Sequence, residues 1–273
     1  MKIGLIQMNP ALGDTAANIV KIDKFLGETK DADLVVLPEL CHCGYNFSSK
    51  QQAIDTSESV TDSRYIDFLS ERCRQHRQHL VSGLNERVGD DLYNSAVLVG
   101  PEGVRGIYRK LHLFYNEKDL FIPGNAGLPV FDIGICKVGL LICFDWIFPE
   151  VWRALALKGA DIICHPSNLV IPGLCQRAVP VHAVTNRVFV VTANRIGTEG
   201  DLTFTGLSTI AGPKAEILYQ ASADREETKT LAIDIARARD KYVTSRNHIF
   251  DDRRPEEYAA ITETRPKEKR RIT

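Results

Sequence analysis

The sequence predicts a single α/β domain of two packed β-sheets with helices on the outside. Three observations lead there. Strand-like and helical segments alternate twice along the chain, β-hairpins are interleaved with them, and no Pro/Gly/Ser-rich linker separates the halves. The domain is expected to span residues 1–246, with 247–273 as a C-terminal arm. The 273 residues are 44% hydrophobic and 25% charged, an ordinary soluble globular composition. The net charge of −1 provides no global field for nucleic acid or an anionic membrane. The longest apolar runs, such as 138–144, are far too short to cross a bilayer. The short apolar opening, ended by Asn9-Pro10, makes no signal-peptide core.

Residues 2–8 read as a strand, ended by Asn9-Pro10. Residues 16–28 place Ile19, Ile22, Phe25 and Leu26 on one helical face. Residues 33–37 are a short β-branched strand ending at Pro38-Glu39, and an irregular loop covers 41–49. Residues 60–79 read as a helix with Arg and His on its wet face. Strands are expected at 80–83 and 95–99, then a turn at Gly100-Pro101-Glu102-Gly103 and a returning strand at 104–110. A second long loop covers 111–129. A strand at 138–142, a helix at 149–158, a strand at 161–164, a helix at 180–187 and a strand at 188–193 follow. Residues 208–211 and 215–218 form a hairpin around Gly212-Pro213, and 230–235 is the last strand.

Seven cysteines at irregular spacing in a chain of this length argue against a disulfide framework and for a reducing cytosol. Cys41-His42-Cys43 has no second cluster at ligand spacing, so no metal site is expected. The polar, basic tail 262–273 reads as a solvated or partner-contacting arm rather than a nucleic-acid patch.

The run Lys137-Val-Gly-Leu-Leu-Ile-Cys143-Phe-Asp-Trp146 carries the strongest chemical signal. A strand ending on cysteine before a helix opened by Pro149-Glu150 places the sulfur on a sharp bend, beside outward-pointing backbone N–H groups. Glu39 and Lys110 follow two other strands, and functional groups in such sheets collect beyond strand ends. A glutamate can take the thiol proton, and a lysine can hold an oxyanion and favour the thiolate. Each residue also has a plainer reading. Pro38-Glu39 can cap a turn, Lys110 can be one more cation beside Arg105 and Arg109, and Cys143 can be a small buried hydrophobe. No histidine lies at a position that the sequence ties to Cys143, which disfavours a papain-like pair.

Leu37-Pro38-Glu39-Leu40, Tyr108-Arg109-Lys110-Leu111-His112-Leu113-Phe114 and Ile142-Cys143-Phe144-Asp145-Trp146 through Pro149-Glu150 resemble the three signature motifs of the nitrilase superfamily of carbon–nitrogen hydrolases. They occur in the family's order and spacing. The resemblance extends to Ile3-Gly4-Leu5-Ile6-Gln7, Gly44-Tyr45, Phe121-Ile122-Pro123-Gly124, Gly159-Ala160-Asp161-Ile162 and Ala193-Asn194-Arg195. It implies a four-layer αββα sandwich of two mixed β-sheets flanked by helices. It also implies Cys143 as nucleophile, Glu39 as general base, Lys110 as oxyanion stabiliser and Glu117 as a second, substrate-positioning glutamate. The Phe144 N–H is expected to complete the oxyanion hole, and Tyr45, Trp146, His165 and Asn168 to line the pocket. His165 is a departure, since relatives commonly carry asparagine there.

The expected activity is hydrolysis of a small-molecule amide to acid and ammonia through a thioester, with no metal or organic cofactor. A nitrilase and an N-carbamoyl amidohydrolase are the alternatives within this chemistry. A non-catalytic binding module is the alternative outside it. The resemblance further implies a homodimer, with residues 247–254 in an arm that reaches a partner.

Overall fold

The computed structural model describes residues 1–264, so the basic tail lies outside the described residues from position 265 on. The chain divides into a large unit, Met1–Asp240, and a small one beginning at Lys241.

The first half of the large unit runs β1 (Lys2–Gln7), α1 (Thr15–Glu28), β2 (Leu34–Val36), α2 (Lys50–Asp55), α3 (Arg64–His76), β3 (His79–Val88), β4 (Asp91–Gly100) and β5 (Gly103–Arg109). The second half runs α4 (Glu117–Leu120), β6 (Val130–Asp132), β7 (Lys137–Leu140), α5 (Pro149–Leu157), β8 (Ile162–Pro166), α6 (Leu174–Asn186) and β9 (Phe189–Ala193). It then adds the short pair β10 (Thr198–Glu199) and β11 (Leu202–Thr203), then β12 (Thr209–Ala211), β13 (Ile217–Gln220), β14 (Glu227–Ala232) and α7 (Ala236–Arg239).

Two mixed six-stranded sheets result, ordered β14-β1-β2-β3-β4-β5 and β13-β12-β9-β8-β7-β6. Each has three parallel strands at its heart, β1-β2-β3 in one and β7-β8-β9 in the other, with antiparallel strands on both sides. The parallel strands read as near-continuous apolar runs because both faces are covered. One face of β1–β3 meets β8 and β9 across the sandwich. The other face receives Ile22, Phe25 and Leu26 of α1 and Tyr65, Ile66, Leu69 and Cys73 of α3. Each such large side chain contributes roughly 1.5–3 kcal/mol on burial. Helices α5 and α6 stand on the second sheet, so the αββα expectation is met.

Several element boundaries differ from the sequence reading. The strands expected at 80–83 and 95–99 belong to one long hairpin paired from Leu80↔Val99 to Val88↔Asp91. Polar Asn85, Glu86, Asn94 and Ser95 masked it, yet all four are buried. Glu86 is neutralised there by Arg109 at 2.6 Å and accepts the Ser95 hydroxyl at 2.6 Å. The third helix starts at Arg64, where the Ser63 hydroxyl accepts the Ile66 N–H at 2.9 Å. Helix α6 begins six residues earlier than expected and runs through Pro180, the residue taken as its start.

The two sheets also meet at an edge. A Cβ on Gly106 of β5 would lie 2.0 Å from the ring of Phe131 on β6. Gly106→Ala is expected to destabilise the fold by about 1–3 kcal/mol through overpacking. Urea unfolding would show a lower midpoint at constant slope, and an unchanged midpoint would mean that these edges part freely.

Candidate active site

Beyond Val36 at the end of β2, Pro38 leads into Glu39 and then Leu40, which takes a left-handed φ of 48°. Gly83 of β3 passes directly behind this bend. A Cβ there would lie 2.1 Å from the Leu40 nitrogen and 2.6 Å from the Glu39 Cα, so only glycine allows the approach. Lys110 follows the last residue of β5, and its N–H donates to the Asn94 carbonyl at 2.8 Å. Glu117 opens the one-turn helix α4, inside the expected 111–129 loop.

These three side chains meet in the interior. The Lys110 ammonium donates to Glu39 Oε1 and to Glu117 Oε1, both at 2.7 Å. Asn94 Nδ2 donates to the same Glu39 oxygen at 2.7 Å, whereas Glu39 Oε2 is buried without a partner among the described residues. Tyr45 donates its hydroxyl to Glu117 Oε1 at 2.7 Å, and the Phe114 N–H donates to Glu117 Oε2 at 3.1 Å. Burial pulls the Lys110 ammonium towards neutrality, but the carboxylates of Glu117 and Glu39 outweigh it and hold its pKa above the usual lysine range. Burial pushes the Glu39 carboxyl upward; Lys110 opposes that and Glu117 adds to it.

Cys143 belongs to the second sheet. Strand β7 ends at Leu140, and a 3-10 turn runs Cys143–Ile147. Cys143 itself has φ 41°, the strained left-handed region expected of a nucleophile elbow. Asp145, not singled out from the sequence, pins this bend. It accepts the Ile142 N–H at 2.9 Å, the Tyr108 hydroxyl at 2.7 Å and His112 Nδ1 at 2.8 Å. One buried carboxylate thus ties the elbow to β5 and to the segment after Lys110. The i, i+3 relation of Asp145 to Ile142, within the motif, was the signal available. Cys143 sits in the electrostatic field of Glu39, Lys110 and Glu117 together. Burial, then Glu39, push the thiol well above its ordinary value, and Lys110 only partly offsets them. The resting sulfur is therefore a thiol. The expected bias of Lys110 towards thiolate is real but outweighed.

A narrow cleft opens at Cys143, lined by Phe114, Phe144, Trp146, Asn168 and residues 169–171. Its free volume, about 20 Å³, is on the order of one or two water molecules. Phe144, Trp146 and Asn168 all lie on this cleft. Tyr45 lies one layer back, on Glu117. His165 lies beneath the elbow, fully buried, with Nε2 2.8 Å from the Cys143 carbonyl oxygen and Nδ1 3.1 Å from the Thr192 hydroxyl. It is the histidine tied to Cys143 that the sequence did not reveal, and it holds the carbonyl rather than the thiol. Asn168 is 2% exposed, and neither its Oδ1 nor its Nδ2 has a partner among the described residues. Each unmet group of this kind costs about 1–3 kcal/mol. Cys41 contacts the Tyr65 hydroxyl at 3.3 Å and the Ser82 hydroxyl at 3.2 Å, while His42 stacks on Tyr65.

The family description Carbon-nitrogen hydrolase matches residues 2–241. The chain belongs to the nitrilase superfamily of carbon–nitrogen hydrolases. It is 47% identical to a nitrilase of Pyrococcus abyssi, over 94% of this chain and 99% of that one. It is 36% identical to an (R)-stereoselective amidase of Pseudomonas sp., over 82% of each. The amidase of Nesterenkonia sp. AN1 superposes with a TM-score of 0.81 in a mutant complexed with acrylamide, at 26% identity over 95% of this chain and 96% of that one. A further mutant of that amidase carries the acetamide moiety of fluoroacetamide covalently at its active site cysteine.

In this carbon–nitrogen hydrolase, buried side chains behind the cluster hold its parts in place. Arg195, fully buried against the Phe204 ring, pairs with Glu199, which accepts the Tyr45 N–H at 3.0 Å and the Asn46 N–H at 2.7 Å. Two expectations test this scaffold. Gly83→Ala should displace Glu39 and lower kcat/KM by about 10²-fold, the cost of an ångström-scale misplacement; wild-type kinetics would refute the close packing. His165 falls from its ordinary 6.5 to about 4, chiefly through burial. The unfolded chain therefore binds a proton there before the folded one does. Stability from neutral His165 is whole above pH 6.5 and is lost as pH falls towards about 4. His165→Asn should flatten the fall of the unfolding midpoint across that window, and a slope as steep as wild type would exclude this cause.

Proposed function

We propose that this carbon–nitrogen hydrolase converts small neutral amides to carboxylic acids and ammonia, with Cys143 as nucleophile. The observation that carries the reading is the split glutamate. One oxygen of Glu39 is fixed by Lys110 and Asn94, while the other is unpartnered and buried in the same electrostatic cluster as a protonated Cys143.

The steps follow from those charges. Glu39 takes the Cys143 proton as the sulfur bonds to the substrate carbonyl carbon. Lys110 and the Phe144 N–H, at the start of a turn where first-turn donors lack helical partners, hold the oxyanion. Glu39 returns the proton to the nitrogen, the carbon–nitrogen bond breaks and ammonia leaves a thioester. Glu39 then deprotonates water, hydroxide adds to the thioester, the acid departs and the thiol is restored. Glu117 fixes the Lys110 ammonium and accepts the Tyr45 hydroxyl behind it.

A second reading is a nitrilase, favoured by the 47% identity to the Pyrococcus abyssi enzyme. The same cysteine adds to the nitrile carbon to give a thioimidate, and a further water is consumed before ammonia leaves.

We further propose residues 1–246 as the catalytic domain and 247 onward as an arm that contacts a second copy. Within that arm Ile261 is more than half exposed, apolar area suited to burial in an assembly.

Ammonia release from a panel of amides, nitriles and N-carbamoyl compounds, run beside Cys143→Ala, tests the main reading. Turnover should vanish in the variant, and intact mass of the wild type with a slow amide should show an acyl adduct on Cys143. Equal turnover in both proteins would sink it. Truncation before Asn247 should convert dimer to monomer or aggregate in sedimentation, and a clean truncated dimer would remove the arm's role.

A further inference from the structure

Asn168 is an anomaly in its setting. Its side chain is one of few polar groups on the cleft, whose other walls are Phe114, Phe144, Trp146, Leu169, Val170 and Ile171. None of the lining residues is charged. Its backbone is held on both sides. The Ser167 N–H donates to the Ala193 carbonyl at 2.8 Å, the Leu169 N–H to Asn194 Oδ1 at 2.9 Å, and the Thr205 N–H to the Leu169 carbonyl at 2.9 Å. Asn194 is fixed in turn by its Nδ2, 2.6 Å from the Gly206 carbonyl. The strand end is rigid, yet the carboxamide it presents has neither donor nor acceptor engaged among the described residues. Asn168 and Cys143 line the same cleft. The unmet amide therefore borders the place where the reacting carbon must sit.

We infer that Asn168 is the specificity residue of this cleft. Its Oδ1 accepts an N–H of the substrate's scissile amide, its Nδ2 donates to a neutral acceptor on the same substrate, and the apolar walls take an uncharged substituent. The inference rests on the Cys143 reading above and names its substrate class. A primary amide carries both a donor and an acceptor and satisfies both halves of Asn168. A nitrile carries an acceptor alone and leaves Oδ1 unpaired in a dry site. Substrates with a carboxylate or an ammonium beside the scissile group find no counter-charge on these walls and are disfavoured.

The test uses a matched pair, isobutyramide and isobutyronitrile, with wild type, Asn168→Leu and Cys143→Ala. Wild type should prefer the amide in kcat/KM. Asn168→Leu, alike in branching though bulkier and without hydrogen-bonding groups, should lower amide kcat/KM by about 10–100-fold, mainly through KM, and leave the nitrile within about threefold. An equal fall for both substrates, accompanied by a lower Tm, would assign Asn168 to packing and overturn the inference. An unchanged amide rate would overturn it too.

A second measurement needs no variant. Alkylation of Cys143 in the wild type by iodoacetamide and by iodoacetonitrile is compared with alkylation of glutathione. The acetamide-to-acetonitrile rate ratio should exceed that of glutathione by about tenfold, and an equal ratio would count against amide recognition. Failure of the two readings is separable. Turnover that depends on Cys143 but shows no amide bias leaves the mechanism standing and removes Asn168. A biased alkylation without turnover of either substrate does the reverse.

Discussion

A cation buried between two carboxylates organises this molecule. Lys110 has no access to water, and its charge is tolerable only because Glu39 and Glu117 each lie 2.7 Å away. The two carboxylates are equally dependent on the lysine, since without it they would repel each other in a dry interior. Glu39 and Lys110 act on the neighbouring Cys143 with opposite sign. Burial first, and Glu39 after it, push the Cys143 thiol upward, and Lys110 only partly offsets them.

Such a cluster is only as good as its frame. Glu117 is oriented by Tyr45, whose backbone is held by Glu199, which is paired with the buried Arg195. Asp145 performs the matching task for the other half, tying the cysteine bend to Tyr108 on β5. Charge is thus spent on position in both halves, and the apolar layers around it keep water from loosening the arrangement. These residues come from beyond strands of both sheets, Glu39 and Lys110 from one and Cys143 and Asn168 from the other. Glu39, Asn94, Lys110 and Glu117 find one another within the first half of the chain, and the sandwich must be assembled before Cys143 joins them.

Much of this was legible in the chain. The order Pro38-Glu39, Lys110 and Cys143 after apolar strands predicted that three strand ends converge, and the hairpins mixed with helices predicted two sheets. What remained hidden was buried polarity. Asn85, Glu86 and Asn94 broke the apolar pattern of β3 and β4, although their partners lay elsewhere in sequence. His165 was legible as a residue near a strand end but not as the support of the Cys143 carbonyl, because pattern says nothing of which atom a ring nitrogen meets. Asp145 was overlooked because its neighbours in the motif, Cys143, Phe144 and Trp146, had more evident roles. Pro180 misled for a local reason: a proline suggests a helix start, but helix α6 packs firmly enough to carry it inside.

The pairing of the first strand with the last has a consequence for synthesis. β1 lies between β2 and β14, in register from Lys2↔Ala232 to Gln7↔Glu227. Its β14 side cannot be covered until about 220 further residues have left the ribosome, on the order of 10–40 s at bacterial to eukaryotic elongation rates. Through that interval an apolar strand with an unpaired edge is available to any neighbouring nascent chain. The early α1 and α3 can shield its face but not its edge. The burden on cellular chaperones therefore falls on the very start of this chain.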